Sequence, residues 1–128
     1  MISGIGVDLV ATARVREALG RHGERFAGRI LAECEWEGFR SARDPARWLA
    51  KCFAAKEAFG KATGIGIRAP VTLRALWVTR DALGCPGLGF APAVDRWLAE
   101  RGIRRHHLSL TDERDMVAAF VVLERGDA

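Results

Sequence analysis

Alternation opens the chain. Ile5, Val7 and Leu9 fall on one side of residues 4–10, and Gly4, Gly6, Asp8 and Val10 fall on the other. A period of two over this length predicts a short β-strand with Ile5, Val7 and Leu9 turned to a core. Its second face is nearly bare backbone as far as Asp8. Thr12 has the hydroxyl to cap a helix running to about Leu19, with Gly20 closing it. Phe26, Ile30 and Leu31 support a second helix from about Glu24 to Ala32, and Ser41 to Pro45 is turn-like, with Pro45 suited to a helix start. The clearest periodicity covers Ala46 to Thr63, where Trp48, Leu49, Cys52, Phe53 and Phe59 form one apolar stripe and Gly64-Ile65-Gly66 stops the helix. Farther on, the pattern predicts a strand from Val71 to Thr79, a turn from Asp81 to Gly87 and a short strand from Leu88 to Phe90. A helix from Pro92 to Arg101 is ended by Gly102. Two last strands, His107 to Thr111 and Met116 to Glu124, flank a tight turn and predict a hairpin. With no repeat, low-complexity tract or linker, residues 1–128 are expected to form one α+β domain. Its sheet is expected to be largely antiparallel, with helices packed against it.

Within the long helix, Glu57 and Lys61 are four apart and share a face beside the apolar stripe. Ala50 and Ala54 continue that face, and small residues there are expected to leave open space before the carboxylate and the ammonium. Lys56 falls inside the stripe, near Leu49 and Gly60, and there it must snorkel or be paired. By helical spacing alone, Glu57 and Lys61 make an ordinary surface ion pair worth a few tenths of a kcal/mol. Gly64 and Gly66 read as a C-cap and turn that would also let backbone approach a phosphate. Neither a P-loop nor a dinucleotide fingerprint is present. Asp8, set beside glycines, offers an oxygen to a hard cation without steric cover. One or two carboxylates with waters and substrate phosphate oxygens suffice for magnesium, so Asp8 with Glu57 would complete the protein's share.

Charge sharpens the picture. The 20 cations outnumber the 16 anions, giving a net charge of +4, which favours an acidic partner. Only Lys51, Lys56 and Lys61 are lysines, all in one short stretch of an otherwise arginine-based chain. A compact, mobile ammonium is what distinguishes lysine from arginine there. Cys34, Cys52 and Cys85 are odd in number and widely spaced, which argues against a disulfide framework or a zinc site and for a reducing cytoplasm. No apolar run approaches the ~20 residues that span a bilayer, and no basic stretch precedes the first strand as in a signal peptide. An arginine-rich nucleic-acid-binding domain would explain the basic charge. It would not explain Asp8, Glu57 or the lysine cluster, and Tyr is absent while Trp and Phe fall at core spacing rather than as a stacking ladder.

Two segments carry a family resemblance. Ile5-Gly6-Val7-Asp8-Leu9-Val10 and Phe53-Ala54-Ala55-Lys56-Glu57-Ala58-Phe59-Gly60-Lys61-Ala62 resemble the signature blocks of the holo-acyl-carrier-protein synthases, which are 4'-phosphopantetheinyl transferases. Gly64-Ile65-Gly66-Ile67 continues the second block. Residues 25–31 and 107–114 extend the likeness over essentially the whole chain, in order. The resemblance implies a 4'-phosphopantetheinyl transferase-like fold. It implies transfer of 4'-phosphopantetheine from coenzyme A to a serine of apo acyl carrier protein in support of fatty acid biosynthesis, with adenosine 3',5'-bisphosphate leaving. It further implies that Asp8 and Glu57 ligate Mg2+ and that Lys61 sits on the phosphate oxygens. A cationic helix around Arg14, with Arg21 and Arg25, would dock the carrier, and the active unit would be a homotrimer with sites at subunit interfaces.

Lys56, Gly64 and Gly66 are expected near coenzyme A. His107, Ser109 and Thr111 alternate along one strand face, so they would line the same pocket together. The serine proton could go to Glu57, to a metal-bound water or to His107. Two positions depart from the family pattern: Cys52 stands where an arginine is usual, and Cys85 stands where a lysine is usual. Those losses motivate one alternative, a coenzyme A-binding or interaction protein of this fold with impaired catalysis.

Overall fold

A computed structural model describes residues 1–126, built around one long helix. That helix, α4 (Pro45–Thr63), begins and ends as its residues dictate. The Asp44 carboxylate accepts the Arg47 backbone N–H at 3.2 Å, Pro45 occupies the first turn, and Gly64 takes the left-handed conformation (φ 88°) that ends it. β1 (Ile2–Ala11) and β5 (Met116–Arg125) lie against it, and β4 (Ile103–Glu113) completes an antiparallel sheet in the order β1-β5-β4. Val10, Leu49, Phe59, Val117, Val121 and Leu123 are buried where sheet and helix meet.

The two early glycines explain how closely β1 and α4 approach. A Cβ on Gly6 would lie 1.9 Å from the Ala58 carbonyl oxygen, and one on Gly4 would lie 1.9 Å from that of Ala62. Only glycine permits this backbone-on-backbone contact. The consequence inverts one expectation. The glycine side of β1, with Asp8 and Val10, turns inward, while Ile5, Val7 and Leu9 are 59%, 58% and 64% exposed. Across the sheet the register sets Val7 opposite Phe120 and Phe120 opposite Ser109, so the outer face is apolar on β1 and β5 and polar on β4. The period of two holds, and the need for close approach decides which face meets the helix.

Between β1 and α4 lie α1 (Thr12–His22), α2 (Glu24–Ile30) and α3 (Trp36–Ser41), with a 3-10 turn at Glu33–Glu35. α1 runs past Gly20 and stops at Gly23 (φ 55°), whose N–H returns to the Leu19 carbonyl. Thr12 does not cap it: Ala11 holds the N-cap position and the buried Thr12 hydroxyl has no partner among the described residues. α2 ends at Ile30, two residues before the expected Ala32. The expected strand from Val71 begins only at β2 (Leu76–Arg80), because Leu73–Ala75 forms a 3-10 turn. β2 pairs antiparallel with β3 (Pro86–Phe90) in a separate two-stranded sheet, and α5 (Pro92–Glu100) leads into β4. The β4–β5 hairpin forms as expected, with Arg114 at positive φ (49°) in its turn.

Candidate functional site

Asp8 reaches the site because Gly6, two residues before it, presses β1 onto α4. Its side chain is 15% exposed. Lys61, in the last turn of α4, donates to the Val7 carbonyl at 2.9 Å and to Asp8 Oδ1 at 3.0 Å, while its side chain stays 54% exposed. The ordinary surface pair expected between Glu57 and Lys61 therefore does not form; the ammonium turns to the strand instead. Two of its three protons are used and one remains for another acceptor.

Glu57 lines the same cavity as Asp8, about 520 Å³ in volume, with Phe26, Phe53, Val15 and Ala18 as apolar wall and Arg14 beside them. Burial pushes the Glu57 carboxyl above its ordinary value, the nearby Asp8 charge pushes it further, and Lys61 opposes both. Two carboxylates brought together and only partly neutralised make a donor set suited to a hard cation. Among the described residues no third histidine, cysteine or carboxylate joins them, so remaining positions would fall to water and substrate oxygens, as magnesium prefers. The residues fit the ion. Ala50 and Ala54 do not provide the expected open space, because both are wholly buried in the core.

Three expectations near this site need correction. Lys56 is 0% exposed and cannot touch coenzyme A: its ammonium donates to the Ile30 carbonyl at 2.6 Å and to Glu35 Oε1 at 2.5 Å. A lysine inside an apolar stripe needs such a partner. Gly64 and Gly66 have no N–H free for a phosphate, because Gly64 donates to the Lys61 carbonyl at 3.1 Å and Gly66 to the Gly60 carbonyl at 3.0 Å. The turn caps α4 and folds back on Gly60, where a Cβ would meet the Gly66 carbonyl carbon at 2.9 Å.

His107, Ser109 and Thr111 share one exposed face of β4, as expected, but it is the outer face, across the sheet from Asp8. His107 Nε2 lies 2.7 Å from Glu124 Oε2, and this contact holds the Glu124 carboxyl below its ordinary value. Ile5, Val7 and Phe120 of that outer face share a second cavity with Lys61, so the ammonium sits at the boundary between the two faces.

Arg14 and Arg21 line one shallow surface depression with His22, and His22, Arg25 and Arg29 line the next. Arg21 pairs with Glu17 at 3.1 Å, while Arg14, Arg25 and Arg29 are exposed. Arg29 was not among the residues expected here, although its spacing of four from Arg25 on one helix could have indicated it. Of the two departures from the family pattern, Cys52 is buried, its thiol pushed far up by burial and then by Glu35. Cys85 lies in the β2–β3 turn, where Asp81 Oδ1 accepts its N–H at 2.9 Å and that of Leu83 at 2.8 Å. The turn is thus closed without a lysine.

Residues 4–121 match the family model of the 4'-phosphopantetheinyl transferase superfamily. The chain is 56% identical over 125 residues to the holo-[acyl-carrier-protein] synthase of Thiobacillus denitrificans, covering 98% of this chain and 95% of that protein. The crystal structure of holo-[acyl-carrier-protein] synthase from Neisseria meningitidis superimposes with a TM-score of 0.95 at 49% identity, over 98% of this chain and 100% of that one. A Bacillus anthracis holo-(acyl-carrier-protein) synthase in complex with coenzyme A (3',5'-ADP) gives a TM-score of 0.83 at 31% identity, over 98% and 99%. No helix among the described residues is long and apolar enough to cross a membrane.

Proposed function

The chain belongs to the holo-[acyl-carrier-protein] synthases of the 4'-phosphopantetheinyl transferase superfamily, and from that premise we propose that it moves 4'-phosphopantetheine from coenzyme A to a serine of apo acyl carrier protein, with magnesium at Asp8 and Glu57. Adenosine 3',5'-bisphosphate is the leaving group, and fatty acid biosynthesis in the cytoplasm is the process served. The observation that carries this reading is the single cavity shared by Asp8 and Glu57 beside Lys61. Held by these two carboxylates, magnesium would supply charge neutralisation at the diphosphate oxygens.

The chain's own groups account for the rest. Phosphoryl transfer needs little covalent help but does need the nucleophile placed in line and charge cancelled on oxygen. Lys61, with one ammonium proton uncommitted and half its side chain exposed, donates to the departing phosphate oxygen. Glu57, on the same cavity, would accept the proton of the incoming serine hydroxyl through the carboxylate oxygen that does not hold the ion. Arg14, Arg21 and Arg25 on α1 and α2 receive the acidic carrier, and Arg29 extends that surface. Arg14 also lines the cavity of the two carboxylates, so a carrier seated on the arginines has its serine beside them.

A homotrimer completes the site. In one chain the sheet separates His107, Ser109 and Thr111 from Asp8 and Glu57. If the outer face of one copy covers the Lys61 edge of the next, both sets meet one coenzyme A molecule. The exposed apolar face of Ile5, Val7, Leu9 and Phe120 supports such burial.

The test is direct. Protein, magnesium, coenzyme A and apo carrier are incubated and the carrier is weighed by mass spectrometry. One phosphopantetheine should be gained, and the gain should disappear with EDTA and nearly disappear in Asp8→Ala and Glu57→Ala. Parental rates in both variants would refute the assignment.

A further inference from the structure

Besides the cavity groups, the core holds one charged pair that this chemistry does not use. Lys56 is wholly buried and Glu35 nearly so. The Glu35 carboxylate is fully engaged: Oε1 accepts from the Lys56 ammonium at 2.5 Å and from the Ala32 N–H at 3.0 Å, and Oε2 accepts from the Val78 N–H at 3.0 Å. Lys56 in turn donates to the carbonyl of Ile30, the last residue of α2. Four elements therefore meet at two side chains: α2, the 3-10 turn after it, α4 and β2. One of them, α2, carries Arg25 and Arg29; another, α4, carries Glu57 immediately after Lys56. A buried ion pair is a poor stabiliser relative to apolar replacements, and its best use is to fix one arrangement among several.

We infer that the Lys56–Glu35 pair is a positioning device that fixes the carrier-docking helix α2 against α4, holding Arg25 at a set distance from Glu57. Neither residue touches substrate. The inference rests on the docking role given to α2 above. Phe26, on α2 between Arg25 and the anchored Ile30, lines the cavity of Asp8 and Glu57, so a shift of α2 alters the path by which the serine enters.

Steady-state kinetics with coenzyme A and apo acyl carrier protein test it, in Lys56→Met, Arg25→Ala and the double variant, with Glu35→Gln as a milder second lesion. Lys56→Met should raise KM for the carrier on the order of tenfold and leave that for coenzyme A within roughly twofold. Its effect should largely vanish in the Arg25→Ala background, because a misplaced arginine and a missing one lose the same contact. Loss of kcat alone, equal rises in both KM values, or full multiplication of the two effects would overturn the positioning role. Arg25→Ala with an unchanged carrier KM would overturn the docking reading, and this inference with it. Should both core variants fail to fold, amide exchange on the unaltered protein decides. Added carrier should slow exchange at Ala32 and Val78, and unchanged exchange there refutes the linkage.

Discussion

Gly6→Ala concentrates the logic of the fold into one methyl group. The new Cβ would stand 1.9 Å from the Ala58 carbonyl oxygen and 2.7 Å from the Ala62 nitrogen, whereas ordinary contact begins at 3.4 Å. Both obstacles are backbone, so no side chain can swing away, and β1 and α4 must part by about 1.5 Å or bend. Overpacking of this kind costs about 1–3 kcal/mol, and the rigid neighbours place the expected loss near the upper end. Separation also pulls Asp8 from Lys61, now 3.0 Å apart, and from Glu57 next to Ala58. A misplacement of about 1 Å can cost roughly a hundredfold in rate. Urea unfolding measures the first effect, and the rate of carrier modification under conditions where the variant stays folded measures the second. Gly20→Ala is the control: its Cβ would meet nothing within 4 Å, and it lies inside α1, so it should stabilise by about 0.5–1 kcal/mol and leave the rate alone. A Gly6→Ala protein with parental midpoint and parental rate would refute the close-approach account.

Other outcomes follow from the same geometry. Lys61→Ala should lower kcat by about a hundredfold with a smaller change in KM for coenzyme A, since its free donor acts on the departing oxygen. Reversing Arg14, Arg21 or Arg25 to glutamate should raise KM for the carrier and spare that for coenzyme A, as titrations of each substrate would reveal. In EDTA the Glu57 carboxyl, raised in the folded state, binds more protons folded than unfolded. Stability from this group therefore falls as pH rises through its raised folded pKa. Glu57→Gln should accordingly melt above the parent at neutral pH, with the gap closing in acid, even as activity is lost. Mixing Asp8→Ala with His107→Ala should give a rate above the sum of the two variants measured separately if each site draws on two copies, and a merely additive rate after exchange of subunits would count against the shared site.

The sequence disclosed much of the fold and less of the site, for physical reasons tied to distance along the chain. α4 was legible because its signals are local: Asp44 and Pro45 at one end, Gly64 at the other, and a stripe at helical spacing between. The β4–β5 hairpin was legible for the same reason. β1 was recognised as a strand but turned the wrong way. Alternation fixes two faces and does not say which meets the chain's own helix, and the glycines that decided it signal close approach only once the partner is known. The short α3 and the 3-10 turn before β2 were missed because tertiary packing, not periodicity, holds them. Asp8 and Glu57 came together through family resemblance, since no local pattern joins a strand residue to a helix residue so far along the chain. The place of Lys56 in an apolar stripe demands a partner, but nothing local in the sequence singles out Glu35 for it.

Crystals of the protein grown with Mn2+ and coenzyme A, measured at the manganese absorption edge, address the central claim most directly. The account predicts one anomalous peak about 2.1 Å from oxygens of both Asp8 and Glu57, with diphosphate oxygens in the same coordination shell. A peak on the diphosphate that neither carboxylate touches, or none in that cavity, would contradict it.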